Sequence, residues 1–182
     1  MEKEILTRTQ WTLDRNHSEI HFQIRHLMIS WVSGYFTEFH GSFESKDDDF
    51  ENPSVDLTVM VDSISTGNKD RDDHLRSIDF FDAGQYPEIR FFSKSIHTEA
   101  NGKKKISGEI NIHGISKEIT LDLEFSGISK DPWGNEKAGF SISGEINRND
   151  FGINWNTPLE NGGILIGNLV KISIELQLAK AA

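Results

Sequence analysis

The stretch Val170-Lys171-Ile172-Ser173-Ile174-Glu175-Leu176-Gln177-Leu178 decides the fold class. Its even positions are apolar and its odd positions polar without exception. Successive side chains of a β-strand point to opposite faces, so this is a strand with one oily and one wet side. The same period recurs outward from it. Phe140, Ile142 and Ile146 oppose Ser141, Ser143 and Glu145, and Ile119, Leu121, Leu123 and Phe125 alternate with Glu118, Thr120, Asp122 and Glu124. Ile106, Ile110 and Ile112 share a parity with Gly108, and Val55, Leu57, Val59 and Val61 repeat the pattern, as do Ile20, Phe22 and Ile24. One-sided strands belong to antiparallel sheets wet on one face, not to parallel sheets covered by helices.

Turn signals separate these runs at Asn101-Gly102, Asp131-Pro132-Trp133-Gly134-Asn135 and Asn161-Gly162-Gly163. Leu75, Ile78 and Phe81 fall three apart, with Asp70, Arg71, Asp72, Asp73 and Arg76 on the other face, which predicts a helix of about two turns from Asp70. His26 to Ser30 reads as a second short helical or bent segment, and the charged run Ser45 to Glu51 as an exposed turn. Gly41, Gly108 and Gly144 each stand within a strand, where glycine often marks a bend or bulge. No linker or break in composition divides the chain, so residues 1–182 read as one domain. About eight antiparallel strands that each hide one face form either a sandwich or a closed barrel. The pattern leaves both open, and leaves open whether the interior is filled by side chains or by an apolar ligand.

Composition narrows the function classes. Nineteen Lys and Arg against twenty-nine Asp and Glu leave a net charge of -10 over 182 residues. That balance argues against nucleic acid or anionic lipid surfaces as the main partner, unless a local basic patch overrides the total. The absence of Cys excludes disulfides, Cys-metal sites and thiol catalysis. No run approaches the ~20 apolar residues of a spanning helix, so no stable membrane insertion is expected. Met1-Glu2-Lys3-Glu4-Ile5-Leu6-Thr7 holds too short an apolar run for a secretory signal, which makes the cytoplasm the expected compartment.

Catalytic signals are absent: there is no Gly-x-Ser-x-Gly elbow, no His-Glu-x-x-His and no Gly-x-x-x-x-Gly-Lys loop. His17 and His21, on a strand, would sit about 13 Å apart, too far to share one ion. His26, His74 and His113 could meet only through the fold, and no metal site is expected. Arg71 could grip a phosphate or carboxylate with its planar fork, and His74 could donate to a carbonyl or diphosphate. The plain alternative has Arg71 pairing with Asp62, Asp70 or Asp73 and capping the barrel. Trp155-Asn156, after Asp150-Phe151-Gly152, marks an irregular stretch, either a barrel rim or merely a turn.

Taken together, several motifs carry a resemblance. They are Trp11-Thr12-Leu13-Asp14 with His17-Ser18, Arg25-His26-Leu27, Gly67-Asn68, Arg71-Asp72, His74-Leu75-Arg76-Ser77, Asp79-Phe80-Phe81, Tyr86-Pro87, Ile112-His113-Gly114, Lys130-Asp131-Pro132-Trp133-Gly134 and Asn147-Arg148 with Asp150-Phe151-Gly152. In that order, over about residues 10–178, the chain resembles the YceI-like family of bacterial polyisoprenoid-binding, lipocalin-like proteins. The resemblance implies an all-β fold, an extended antiparallel barrel of about eight strands with one or two short helices. It also implies non-enzymatic binding, carriage or storage of a long-chain amphiphile (a polyisoprenoid, an isoprenoid quinone or a fatty-acid-like lipid) along the barrel axis, pairing as a homodimer, and no cofactor besides that lipid. On this reading Phe22, Phe36, Phe80, Phe91, Leu121, Leu123, Phe125 and Ile142 line a tunnel. Arg71 and His74 stand at its polar end, with Trp155 and Asn156 beside them. The alternatives are a lipid-modifying enzyme that uses the Arg71/His74 region, and a packed dimeric interaction module without a ligand.

Overall fold

The computed structural model describes residues 8–46 and 49–182. The N-terminal segment read above, Met1 to Thr7, and the middle of the charged run, Asp47 and Asp48, lie outside the described residues. In chain order the elements are β1 (Arg8–Leu13), β2 (Glu19–His26), β3 (Ser30–Phe36), β4 (Phe39–Lys46), β5 (Asp49–Met60), β6 (Ile64–Ser65), α1 (Lys69–Arg76), β7 (Glu88–Thr98), β8 (Lys104–Ile112), β9 (Ile115–Lys130), β10 (Glu136–Asn147) and β11 (Ile166–Lys180). Short 3-10 turns stand at Arg15–His17, Val61–Ser63 and Arg148–Phe151.

The strands form one antiparallel sheet that runs β1-β4-β5-β7-β8-β9-β10-β11, and β11 pairs back onto β1. That pairing closes an eight-stranded, lipocalin-like barrel and removes the open edges a sandwich would leave. Register brings the apolar parities together: Phe140 faces Leu176, Ile142 faces Ile174 and Ile146 faces Val170. A slip of one residue would turn every one of these side chains outward. β11 is long enough to serve two partners in turn. Near its end it pairs with β1, Leu178 opposite Leu13, and nearer its start with β2, Ile172 opposite Phe22. β3 then adds to β2, and β6 to β3, as a collar on the same end of the barrel.

The two ends differ. At the base, Trp11, Phe50, Phe125 and Phe140 pack together, with Phe50 5.1 Å from Trp11 and 4.9 Å from Phe140 between ring centroids. The indole N–H of Trp11 donates to the Ser45 hydroxyl at 2.9 Å. Ser45 and Phe50 are buried, so the charged run is no simple exposed turn: its flanks belong to the inward parity of β4 and β5. The rim at the opposite end carries α1, the β2–β3 and β8–β9 turns and the Arg148–Phe151 turn.

α1 has the expected two turns but ends at Arg76, so Ile78 and Phe81, read as part of its apolar face, lie in the turns beyond it, with Ile78 exposed. Asn68 caps it by accepting from the Arg71 backbone N–H at 2.9 Å. His26 to Ser30 is not helical; it is the tight turn between β2 and β3. The strand glycines split in role. Gly108 sits opposite a bulge in β7 between Ser93 and Ser95, and a Cβ there would come within 2.3 Å of the Phe92 carbonyl oxygen. Gly144 lies in regular pairing, and the space it leaves is taken by Leu121, whose Cδ2 would be 2.4 Å from a Cβ.

A polar knot holds β11 where it passes from one partner to the other. The Asp14 carboxylate accepts from Lys137 Nζ and Gln177 Nε2, each at 3.1 Å, and meets His17 Nδ1 at 3.1 Å. Ser18 Oγ donates to the Asp14 carbonyl at 2.7 Å and accepts from the Gln177 backbone N–H at 3.0 Å. Burial works to raise the Asp14 pKa, but the Lys137 and His17 contacts outweigh it and hold the carboxyl below its ordinary value. A depressed folded-state pKa adds stability above the unfolded value, near 3.9, and that stability is lost as pH falls through the folded value. We expect Asp14→Asn to lower the unfolding free energy at neutral pH by about 1–3 kcal/mol. The gap from wild type should shrink below about pH 4 in urea titrations across pH; a gap unchanged in acid would mean that the charge contributes nothing.

Candidate functional site

Inside the barrel lies a cavity of about 580 Å³. Its base is walled by Phe43, Phe50, Ile96, Ile106, Leu123 and Phe140, and its middle by Phe22, Phe36, Phe91, Leu121 and Ile142. Arg25, His26, Arg71, His74, Phe80 and Trp155 stand at the rim. The wall thus gathers Phe22, Phe36, Arg71, His74, Phe80, Phe91, Leu121, Leu123, Ile142 and Trp155 from the residues singled out in the sequence.

Phe125 and Asn156 lie outside it. Phe125 has the inward parity and pairs with Phe140, but it stands deeper than the cavity: its ring stacks on Phe140 at 5.0 Å and against Phe50 at 5.2 Å. It belongs to the packed base. Asn156 spends its side chain on backbone. Its Oδ1 accepts from the N–H groups of Leu165 and Ile166 at 3.1 Å and of Thr157 at 3.0 Å, and its Nδ2 donates to the Ile166 carbonyl at 2.7 Å.

α1 positions two rim groups. The Arg71 Nε donates to Thr66 Oγ1 at 2.7 Å and an Nη to the Thr66 carbonyl at 2.9 Å. Thr66 Oγ1 in turn donates to Asp72 at 2.6 Å. Arg71 therefore pairs with none of Asp62, Asp70 and Asp73; Asp73 is taken by Lys69 and Arg76. His74 Nε2 lies 2.8 Å from Asp79 Oδ2, and its ring stands edge-on to Phe80 at 5.0 Å and Trp155 at 4.8 Å. His26 joins His74 on the cavity wall, whereas His113 is turned to Tyr86, 4.7 Å away, and bonds the Phe151 carbonyl. No group of three or more His, Asp or Glu able to hold a metal ion occurs among the described residues.

Arg148 is a buried wall residue that the sequence reading did not single out. It is only 5% exposed and forms part of the cavity wall. Its Nε donates to the Gly167 carbonyl, and one Nη donates to the carbonyls of Ile153 and Trp155, all at 2.9 Å. Its other Nη is buried without a partner, and Arg148 makes no ion pair among the described residues. Burial pushes its pKa down, yet a guanidinium stays charged in neutral solution. The signal was present: Arg148 continues the even parity of Phe140, Ile142 and Ile146, a cation on the oily side of an amphipathic strand. Arg71 and Arg148, with His26 and His74, share the wall with a single carboxylate among the described residues, Asp70, while Arg25 and His21 border the cavity from the outward parity of β2, the Arg25 guanidinium on Trp31 and His21 on Glu19. The wall is cationic inside a chain of net charge -10.

Such an arrangement offers an apolar shaft, closed by aromatics at one end and ringed by donors at the other. A closed barrel with this interior places the protein in the class of lipocalin-like barrels. The chain belongs to the YceI-like domain family, whose characteristic sequence matches residues 11–178. It is 39% identical over 172 residues to the UPF0312 protein SAS2572 of Staphylococcus aureus, covering 94% of this chain and 98% of that protein. The crystal structure of the Campylobacter jejuni YCEI protein, 32% identical, matches with a TM-score of 0.70 over 100% of both chains. A polyisoprenoid binding domain from Saccharophagus degradans, 14% identical, matches with a TM-score of 0.70 over 94% of this chain and 98% of its own, a likeness of fold.

The Asn156 clamp gives a direct check on the division between wall and scaffold. Asn156→Ala should lower stability by about 2 kcal/mol and speed hydrogen exchange at the Leu165 and Ile166 amides. Unchanged protection at those amides would remove the clamp.

Proposed function

We propose that the protein binds and carries one long-chain amphiphile without altering it chemically, the tail inside the barrel and a polar or anionic head at the rim. The observation that carries this reading is the apolar cavity of about 580 Å³ that ends beside the guanidiniums of Arg71 and Arg148. A cavity of that size falls in the usual range of small-molecule sites, about 300–1,000 Å³. Kept dry and unfilled, it would cost about 14 kcal/mol at ~24 cal/mol per Å³, as much as the whole stability of a typical domain. An apolar tail relieves that cost, and water cannot do so well against a wall of Ile, Leu, Val and Phe.

Size narrows the ligand. At ~30 Å³ per water-sized group the cavity takes about twenty such groups. A fatty-acid-like chain or a short isoprenoid fits whole, whereas the forty-carbon tail of an eight-unit isoprenoid or quinone leaves units outside the rim. Charge sets the direction. A carboxylate or phosphate at the rim would give Arg148 and Arg71 an acceptor that neutral carbonyls and Thr66 supply only in part.

Titration of delipidated protein with saturated fatty acids of increasing length, read by native mass spectrometry and calorimetry, tests it. We expect one chain per barrel, with affinity rising by up to about fifteenfold per two carbons at ~0.8 kcal/mol per CH₂ and levelling off near C20. Leu123→Trp should move that plateau to shorter chains. The alcohol of equal length should bind more weakly than the acid, and Arg71→Ala should narrow that difference. A folded protein that takes up no chain, or whose affinity ignores chain length, would overturn the proposal.

A further inference from the structure

The turn between β2 and β3 carries Leu27, Met28 and Ile29, and all three side chains face solvent: they are 37%, 55% and 78% exposed. The turn is closed by the Ile29 N–H on the His26 carbonyl at 3.2 Å, and both of its central residues have positive φ, 54° at Leu27 and 59° at Met28. Hairpin turns of this kind strongly prefer Asn-Gly or Asp-Gly, because residues with larger side chains are strained there. Two independent preferences are violated at one spot: solubility by the side chains and backbone energy by the turn. The hairpin itself calls for positive φ at these positions, but nothing in its closing hydrogen bond calls for large apolar side chains there. Strain of this sort, once observed, points to a function for the segment.

The surroundings identify the partner. Trp31, exposed beside the turn, has the Arg25 guanidinium 4.2 Å and the Lys171 ammonium 4.7 Å from its ring centroid. Leu169, also exposed, lies on the adjoining part of β11, where the pairing with β2 is interrupted between Ile166 and Val170. An aliphatic tip backed by Trp and flanked by cations is the residue mix that settles at a bilayer interface. The cations complement anionic headgroups, while the negative charge on the rest of the molecule keeps other faces away. The tip is also tied to the cavity. The Leu27 N–H donates to the Leu165 carbonyl at 2.8 Å, and Leu165, Arg25 and His26 all belong to the cavity wall.

We propose that Leu27-Met28-Ile29 is a membrane-docking finger. It dips into the surface of an anionic bilayer, without spanning it, and sets the cavity rim against the lipid. This goes beyond ligand binding, since it names the surface with which the rim makes contact.

The test uses the full chain and vesicles of phosphatidylcholine with phosphatidylglycerol. The double variant Leu27→Asn/Met28→Gly installs the residues the turn prefers, so it should melt at or above the wild-type temperature. Wild type should float with the vesicles, and the double variant should lose more than about tenfold of that binding. Transfer of a fluorescent fatty acid from vesicles to protein should slow in parallel, while uptake of the same probe from aqueous solution stays unchanged. A wild type that does not float, or a double variant that floats equally well, overturns the finger. So does a concentration-dependent dimer that the double variant breaks while neither protein floats, which would assign the tip to a second copy. Failure of both proteins to take up probe from solution would sink the carrier reading separately, because flotation does not depend on it.

Discussion

Closure of the sheet between β1 and β11 is the constraint on which the rest of the molecule depends. A strand puts alternate side chains on opposite faces, and only a ring turns one set of faces into an inside. Without the pairing of Trp11 through Leu13 with Leu178 through Lys180, the oily parity of eight strands would need a second sheet to cover it. β11 is the spine of the arrangement, because it pairs along its length with β10 and, in succession, with β1 and β2. The hand-over between β1 and β2 falls at Asp14 to Ser18, where the chain leaves the ladder and side chains replace backbone pairing.

Once closed, the barrel acquires a gradient along its axis. The base is sealed by aromatic rings that touch one another and by the buried Trp11–Ser45 hydrogen bond. Toward the rim the wall changes from hydrocarbon to guanidinium and imidazole. The change has a structural cause as well as a chemical use. Beyond Asn147 the chain leaves the ladder, so the carbonyls of Ile153, Trp155 and Gly167 need donors. Arg148 supplies them and in doing so brings a positive charge to the cavity wall. A neutral donor would satisfy the carbonyls and leave the rim without that charge.

α1 closes this end with polar contacts more than with burial. Asn68 caps it, Thr66 links Asp72 to Arg71, and Arg76 donates to the carbonyls of Asp62 and Ile64. Leu75, its one apolar residue, reaches the cavity, while Phe80 and Phe81 follow from the segment after it. The helix is thus held by side chains on backbone, and its His74 is oriented by Asp79 and two rings at once.

The strands, their parity, the short helix and most of the wall were legible in the amino-acid order, because period two and helix spacing are local properties of the chain. Arg148 was legible too, as a charge on an oily parity. Its environment was not, because the carbonyls that hold it come from residues up to 19 positions away. Parity turned Phe125 inward correctly, opposite Phe140, but could not give its depth: its ring packs on Phe50 and Phe140 at the base. The family resemblance put Asn156 at the polar end, whereas the start of β11 claims both ends of its amide. Closed barrel or sandwich, and hollow or filled, could be decided only by tertiary structure. Those outcomes depend on which strands are neighbours and how far apart opposite walls stand, and neither distance is written in any single run of residues.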